Sequence, residues 1–177
     1  DQIGTLLAIE GVHALRHTDD LELLFERGFR LLGLSHFIDH SFCGSAHGVQ
    51  KGGLTANGRQ LVRLAQAKNM LIDLAHASPQ TIRDVLDQTS APVLVSHGGM
   101  QGIVPSPRNL SDAELKAIAS TGGLIGVAFF PELIGGTTLA HLVRAISYAS
   151  EKVGVAHVAI GTDFDGSVRA PIAADGY

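Results

Sequence analysis

Met70-Leu71-Ile72-Asp73-Leu74-Ala75-His76-Ala77-Ser78-Pro79 is the stretch from which the fold can be read. Met70–Leu74 is a short apolar run without regular polar alternation, the pattern of a strand buried on both faces in a parallel sheet. Ser78-Pro79 then supplies an N-cap residue and a proline for the first helical turn, which opens a helix to Gln88. A histidine, His76, stands between the strand and the helix.

The same strand-then-helix unit recurs on both sides. Further apolar runs lie at Thr5–Ile9, Leu31–Leu34, Val93–Val95, Leu124–Phe129 and Val158–Ile160. Helical spacing appears between them. Asp19–Arg27 carries Leu21, Leu24 and Phe25 on one face, with Gly28 to end the helix. Thr55–Lys68 aligns Leu61, Leu64 and Ala65, and Thr138–Val153 aligns Leu139, Leu142, Val143 and Ile146. Ser111-Asp112-Ala113-Glu114 has the Ser-x-x-Glu form of a capping box before Leu115–Ser120.

About six β-α repeats imply right-handed crossovers and a parallel sheet. The architecture is then either an open doubly wound sheet or part of a (β/α)8 barrel. No glycine-rich phosphate loop follows the first strand, which counts against the dinucleotide-binding form of the open sheet. The barrel is the expected fold, as one domain over 1–177. A complete barrel takes about 250 residues, so roughly two of its eight units are expected outside this chain.

Composition excludes several classes. The 45% hydrophobic and 17% charged content describes a globular protein, not a disordered one. Thirteen Lys and Arg residues are scattered under a net charge of −4, so no nucleic-acid footprint is present. No apolar run approaches the ~20 residues of a membrane span. The single cysteine, Cys43, rules out an internal disulfide framework. Nine histidines with no tryptophan and only two tyrosines are an excess specific to histidine, which directs attention to metal or proton chemistry.

The positions of the polar residues carry the functional reading. The first apolar run ends at Glu10, the second at His36, the third at His76, the fourth at His97, and the last at Asp163 with Asp165 beyond it. In parallel α/β proteins the carboxyl ends of the strands converge on the ligand site. Any one such histidine is commonly a satisfied, partly buried side chain, and any one such acid is commonly a helix N-cap. The bland explanation would have to hold at five strand ends in one chain. As a set they point to a site.

Imidazole and carboxylate without thiolate suit Zn²⁺ or a similar divalent ion in a catalytic centre. Glu10 has two oxygens and could bridge two ions. His76 and His97 lie on successive strands, about 4.8 Å apart, and could reach one ion together. Asp163 could act as acid or base. Arg108, after Pro105-Ser106-Pro107, is either a surface arginine or a fork for a substrate carboxylate. His17, His40, His141 and His157 read as surface or structural. His13 is a candidate to orient a ligand, and His47 lies on a loop that could cover the site.

Taken together, Ile9-Glu10-Gly11-x-His13, Leu34-Ser35-His36, Gly53-Leu54-Thr55 with Gly58, Leu71–His76 with Ser78, Pro92–His97, Arg108-Asn109-Leu110 and Gly161-x-Asp163-Phe164-Asp165-Gly166 resemble the membrane (renal) dipeptidase family of zinc-dependent barrel hydrolases. The Ile-Asp-Leu-Ala-His and Gly-x-Asp-Phe-Asp-Gly segments are the specific ones. The resemblance implies a binuclear zinc centre (two Zn²⁺) that hydrolyses dipeptides, with Glu10 bridging the ions and His76 and His97 binding one of them. It further implies that His36 stabilises the tetrahedral intermediate, that Arg108 holds the substrate carboxylate and that Asp163 handles protons. It also suggests a homodimer. The family's first strand carries a His-x-Asp pair for the other metal position, which has no counterpart before Glu10. That pair, and closing structure past Asp163, are expected outside this chain.

The expectation is therefore a zinc dipeptidase in which metal-bound hydroxide attacks the scissile carbonyl and Asp163 protonates the leaving amine. Another amide or lactam hydrolase on the same barrel, or a non-catalytic fragment lacking the second metal position, are the alternatives.

Overall fold

Why strand and helix alternate here is visible in the helix starts of the computed structural model, which describes residues 2–164. Its contacts divide the chain into two compact units, Asp1–Pro92 and Val93–Tyr177. Asp165 and Gly166 lie outside the described residues.

The first unit runs β1 (Leu7–Glu10), a 3-10 turn (Val12–Ala14), α1 (Asp20–Glu26), β2 (Phe29–Gly33), α2 (Ala56–Ala67), β3 (Leu71–Asp73) and α3 (Pro79–Gln88). Its strands pair in chain order and all in parallel. Glu10 is in register with Gly33, and Gly33 with Asp73, so all three strands finish at one level. Thr55 caps α2 by accepting from Gly58 N at 3.1 Å, and Ser78 caps α3 by accepting from Thr81 N at 3.0 Å. Such a cap satisfies an otherwise orphaned helical N–H and contributes ~1 kcal/mol. Leu32 and Ile72 from the strands, Leu74 just past β3, and Leu61, Val62, Ala65, Ile82 and Val85 from the helices are buried in the core.

Between β2 and α2 the chain makes a long excursion with no regular secondary structure. Asp84 of α3 fastens its far end. The carboxylate accepts from Leu54 N at 2.8 Å, Arg59 Nη2 at 2.9 Å and Gln80 Nε2 at 2.8 Å. Gly53 makes room for this: a Cβ there would sit 2.1 Å from Asp84 Oδ2.

The second unit runs β4 (Val93–Gly98), α4 (Asp112–Ser120), β5 (Leu124–Ala128), α5 (Pro131–Ile134), α6 (Leu139–Val153), a 3-10 turn (Val155–His157) and β6 (Val158–Gly161). Here too the strands are parallel and pair in chain order. The capping box is present, with Glu114 N donating to Ser111 Oγ at 3.3 Å and Ser111 N to Glu114 Oε2 at 2.8 Å. Val93, Val95, Ile125 and Val127 pack with Leu115, Ile118, Ala145 and Ala149.

Two expectations change. The outermost runs are not buried on both faces: Leu7 is 56% exposed and Ile160 59%. Within their units, β1 pairs with β2 and β6 with β5, each along one edge among the described residues. The helix α5 was not expected. Pro131 starts its single turn and Gly135, at φ 85°, ends it in the left-handed region open to glycine. Among the described residues, no helix is long and apolar enough to cross a membrane.

Candidate metal centre

Each strand of the first unit delivers one polar side chain just past its carboxyl end. Glu10 is the last residue of β1, and Gly11 follows at φ 86°, its N–H donating to Gly33 O at 2.9 Å. The turn therefore releases the chain immediately after the carboxylate. Past β2, Leu34 N continues the ladder by donating to Asp73 O at 3.2 Å, and buried Ser35 donates to Gly44 O at 3.0 Å. These bonds hold the backbone that presents His36. Past β3, the Asp73 carboxylate accepts from Ala75 N at 2.9 Å, an aspartate turn that reverses the chain. His76 then takes φ 61° and is only 7% exposed.

The three side chains converge. His76 Nε2 lies 3.2 Å from Glu10 Oε1, and His36 Nε2 lies 3.9 Å from Glu10 Oε2. One ligand atom from each falls within 4.8 Å of the others, and the His36 and His76 rings stand edge to face at 83°. Geometry tests the fit to a metal. Two nitrogen or oxygen ligands of one tetrahedral zinc, each about 2.0–2.1 Å from it, are about 3.3 Å apart. The Glu10–His76 approach matches that spacing. His36 stands further off, at 3.9 Å from Glu10.

Loop residues complete the surroundings. His47 Nε2 lies 3.1 Å from His76 Nδ1, on the side of the ring opposite Glu10. Phe37 sets its ring against His36, His47 and His76, at centroid distances of 4.1, 4.9 and 5.4 Å. An open cleft of about 620 Å³ is lined by Phe37, Ile38, Asp39, His47 and Val49 among others. His13, expected to orient a ligand, instead lies beside His40, with ring centroids 5.8 Å apart. His40 bonds Leu34 O at 3.0 Å, and burial lowers its pKa. His157 bonds Gly123 O at 2.9 Å, and His141 pairs with Thr138 at the start of α6.

The second unit gathers the other selected residues. His97, on β4, is 7% exposed; its Nδ1 lies 2.9 Å from Ser96 Oγ and its Nε2 lies 4.0 Å from Asp163 Oδ2. Asp163 follows β6 and takes φ 54°. Arg108 is 8% exposed, so it is not a surface arginine, and its Nη2 donates to His97 O at 2.6 Å. The loop that carries it is pinned by Asn109, whose Nδ2 donates to Val104 O at 2.9 Å and Leu133 O at 3.0 Å. Ring and carbonyl of one histidine thus meet Asp163 and Arg108.

The model of the membrane dipeptidase family (peptidase family M19) matches residues 1–175. The chain belongs to that family. Dipeptidase ataJ of Aspergillus terreus is 31% identical over 201 residues, covering 98% of this chain and 49% of the relative. An uncharacterized dipeptidase of Schizosaccharomyces pombe is 30% identical over 97% of this chain and 44% of its own length. The chain thus spans about half the length of the curated relatives it matches. Among solved structures, the probable dipeptidase PvdM of Pseudomonas aeruginosa superposes with a TM-score of 0.87 over 90% of this chain and 57% of its own, at 22% identity. A Rhodobacter sphaeroides metallo-peptidase liganded with a phosphinate mimic of the dipeptide L-Ala-D-Ala superposes at 0.79 over 91% of this chain and 50% of its own, at 28% identity. The fold is accordingly that of β/α units of a (β/α)8 barrel, as the alternation of runs predicts.

Proposed function

We propose that the intact protein is a zinc-dependent dipeptidase. The observation that carries this reading is the 3.2 Å approach of Glu10 Oε1 to His76 Nε2 at the carboxyl ends of two parallel strands, the spacing of two ligands on one ion. In this reading Glu10, His76 and His97 are the residues that would hold the zinc. When bound, a divalent ion of this kind acidifies water to a nucleophile usable at neutral pH and polarises the scissile carbonyl.

The chain's own groups do the rest. His36, set back from the ligand pair, donates to the oxygen on which charge develops, where a preformed donor is most effective. Arg108 grips the free carboxylate of the dipeptide; its anchoring to His97 O fixes the guanidinium plane, so little freedom is lost on binding. Asp163 is 36% exposed at its side chain; its carboxylate takes the proton that the attacking water gives up and passes it to the leaving amine. The dipeptide mimic in the R. sphaeroides relative supports this choice of substrate class.

The test uses the full-length protein. Metal analysis is expected to give two equivalents of zinc, and dipeptide hydrolysis is followed by release of free amino acids. Asp163→Asn should lower kcat by about 10²–10⁴-fold while metal content is unchanged, the usual worth of a positioned acid or base. Retained turnover in Asp163→Asn refutes the proton role, and a protein that binds no metal refutes the whole reading.

A further inference from the structure

The loop after β2 carries a third histidine, His47, that the roles above do not use. Its backbone is fixed from several directions. Asp39 accepts from Ser45 N at 2.8 Å and from Gln50 N at 2.8 Å, closing the loop on itself. Ala46 N donates to His76 O at 2.8 Å, and Ser78 N donates to Gly44 O at 3.2 Å. The Ser45 hydroxyl donates to the carbonyl of His36, has the carbonyl of His76 at 3.3 Å, and accepts from His47 N at 3.1 Å. One serine thus ties together the backbones of all three histidines. Gly48 follows because nothing larger fits: a Cβ there would lie 1.9 Å from Asp39 Oδ1.

This scaffold holds the His47 ring against His76 on the face away from Glu10. The two ring nitrogens of His76 are then differently occupied, Nε2 facing Glu10 at 3.2 Å and Nδ1 facing His47 Nε2 at 3.1 Å. A histidine that binds a cation through Nε2 must carry its proton on Nδ1. That proton needs an acceptor, and His47 Nε2 is placed to be one.

We propose that His47 is a positioning residue: it accepts the Nδ1–H of His76 and so fixes the ring orientation and the tautomer in which His76 Nε2 presents a lone pair toward Glu10. The inference rests on the reading of Glu10 and His76 as metal ligands. His47 itself keeps its proton on Nδ1 and touches neither substrate nor cation.

The experiment measures zinc affinity of the full-length protein by competition with a chromophoric chelator, for wild type, His47→Ala, His47→Gln and His47→Asn. Partners of this kind are typically worth 10–100-fold in affinity, and that loss is expected for His47→Ala. Gln carries an amide oxygen about where Nε2 stood and should recover most of the loss. Asn reaches only as far as Nδ1 and should stay near the alanine variant. Unchanged urea midpoints across the series would show that folding is not what changed. Wild-type affinity in His47→Ala overturns the proposal, as does equal weakening in His47→Ala and His47→Gln. Loss of one whole zinc equivalent in His47→Ala overturns it in favour of direct ligation. A wild-type protein that binds no zinc sinks the metal reading and, with it, this one.

Discussion

Removing the carboxylate of Asp39 tests how the loop after β2 is held. In Asp39→Ala, Ser45 N and Gln50 N each lose an acceptor at 2.8 Å, and Lys51 N loses one at 3.4 Å. A hydrogen bond to a charged group is worth about 1.5–3 kcal/mol where water is excluded. Water reaches this loop and replaces much of that, and the third contact is long. About 2 kcal/mol in total is therefore expected, or roughly 30-fold in the ratio of closed to open loop. Amide hydrogen exchange read residue by residue should show Ser45 and Gln50 exchanging about 30-fold faster, while Leu32 and Ile72 in β2 and β3 are unaffected. The pH dependence has a fixed sign. Burial raises the pKa of Asp39, but the N–H groups of Ser45, Gln50, Lys51 and Val49 outweigh it and leave the group below its ordinary value of 3.8. The clamp is then complete above the unfolded value of about 3.9 and is lost as pH falls through the lower folded one. Unchanged exchange at Ser45 and Gln50 would refute the clamp; faster exchange throughout the first unit would show that Asp39 supports the fold and not the loop alone.

Two further outcomes follow from the same chemistry. Cys43 is 1% exposed, and burial pushes its thiol up to about 11, so at pH 8 only about 0.1% is thiolate; disulfide-exchange reagents should label native protein at least ~100-fold more slowly than urea-unfolded protein, where the thiol titrates near 8.5, and comparable rates would place the thiol in solvent. Tyr148 donates to Asp112 Oδ1 at 2.7 Å, and that bond raises the phenol above 10. Its contribution is present below the unfolded value of about 10 and is lost as pH rises through the folded one; absorbance titration at alkaline pH should show Asp112→Asn bringing the midpoint back down, and an unmoved midpoint would mean the bond is absent in solution.

How much of this was written in the pattern varies with how local the cause is. The helix starts were legible because a cap is a property of four consecutive residues: Ser78-Pro79 and Ser111-x-x-Glu114 form the predicted bonds. Strand ends were legible because the apolar run stops where the polar residue begins, although β4 runs on through His97 to Gly98 instead of stopping at Val95. The burial of Arg108 was not legible, since its contact with His97 O joins residues separated by a loop folded back through the Met100–Leu110 bridge. Nor was His47. It reaches His76 across 29 positions, by an irregular excursion with no period to read. Gly44 and Gly48 flank Ser45-Ala46-His47, but glycine pairs bracket many loops that do nothing of the kind.

Backbone strain marks the same places that the polar residues do. Among described non-glycine residues, His76 and Asp163 are two of the four with positive φ, at 61° and 54°. Each follows the end of a parallel strand, where the chain must turn outward while its side chain stays at the rim. A left-handed non-glycine residue costs about 1 kcal/mol or more, and a glycine would remove that cost, as Gly11 does directly after Glu10. A glycine has no ring or carboxylate, so at these two positions relief of strain and presence of the chemical group exclude each other. At His76 the conformation is held by bonds from outside it, Ala46 N to His76 O at 2.8 Å and Ala77 N to Leu74 O at 3.0 Å. The first of those comes from the loop that also supplies His47. The loop therefore acts on His76 twice, through the backbone that keeps it strained and through the ring nitrogen that faces away from Glu10, and this double hold is the physical reason to regard the loop as part of the site and not as a connection between β2 and α2.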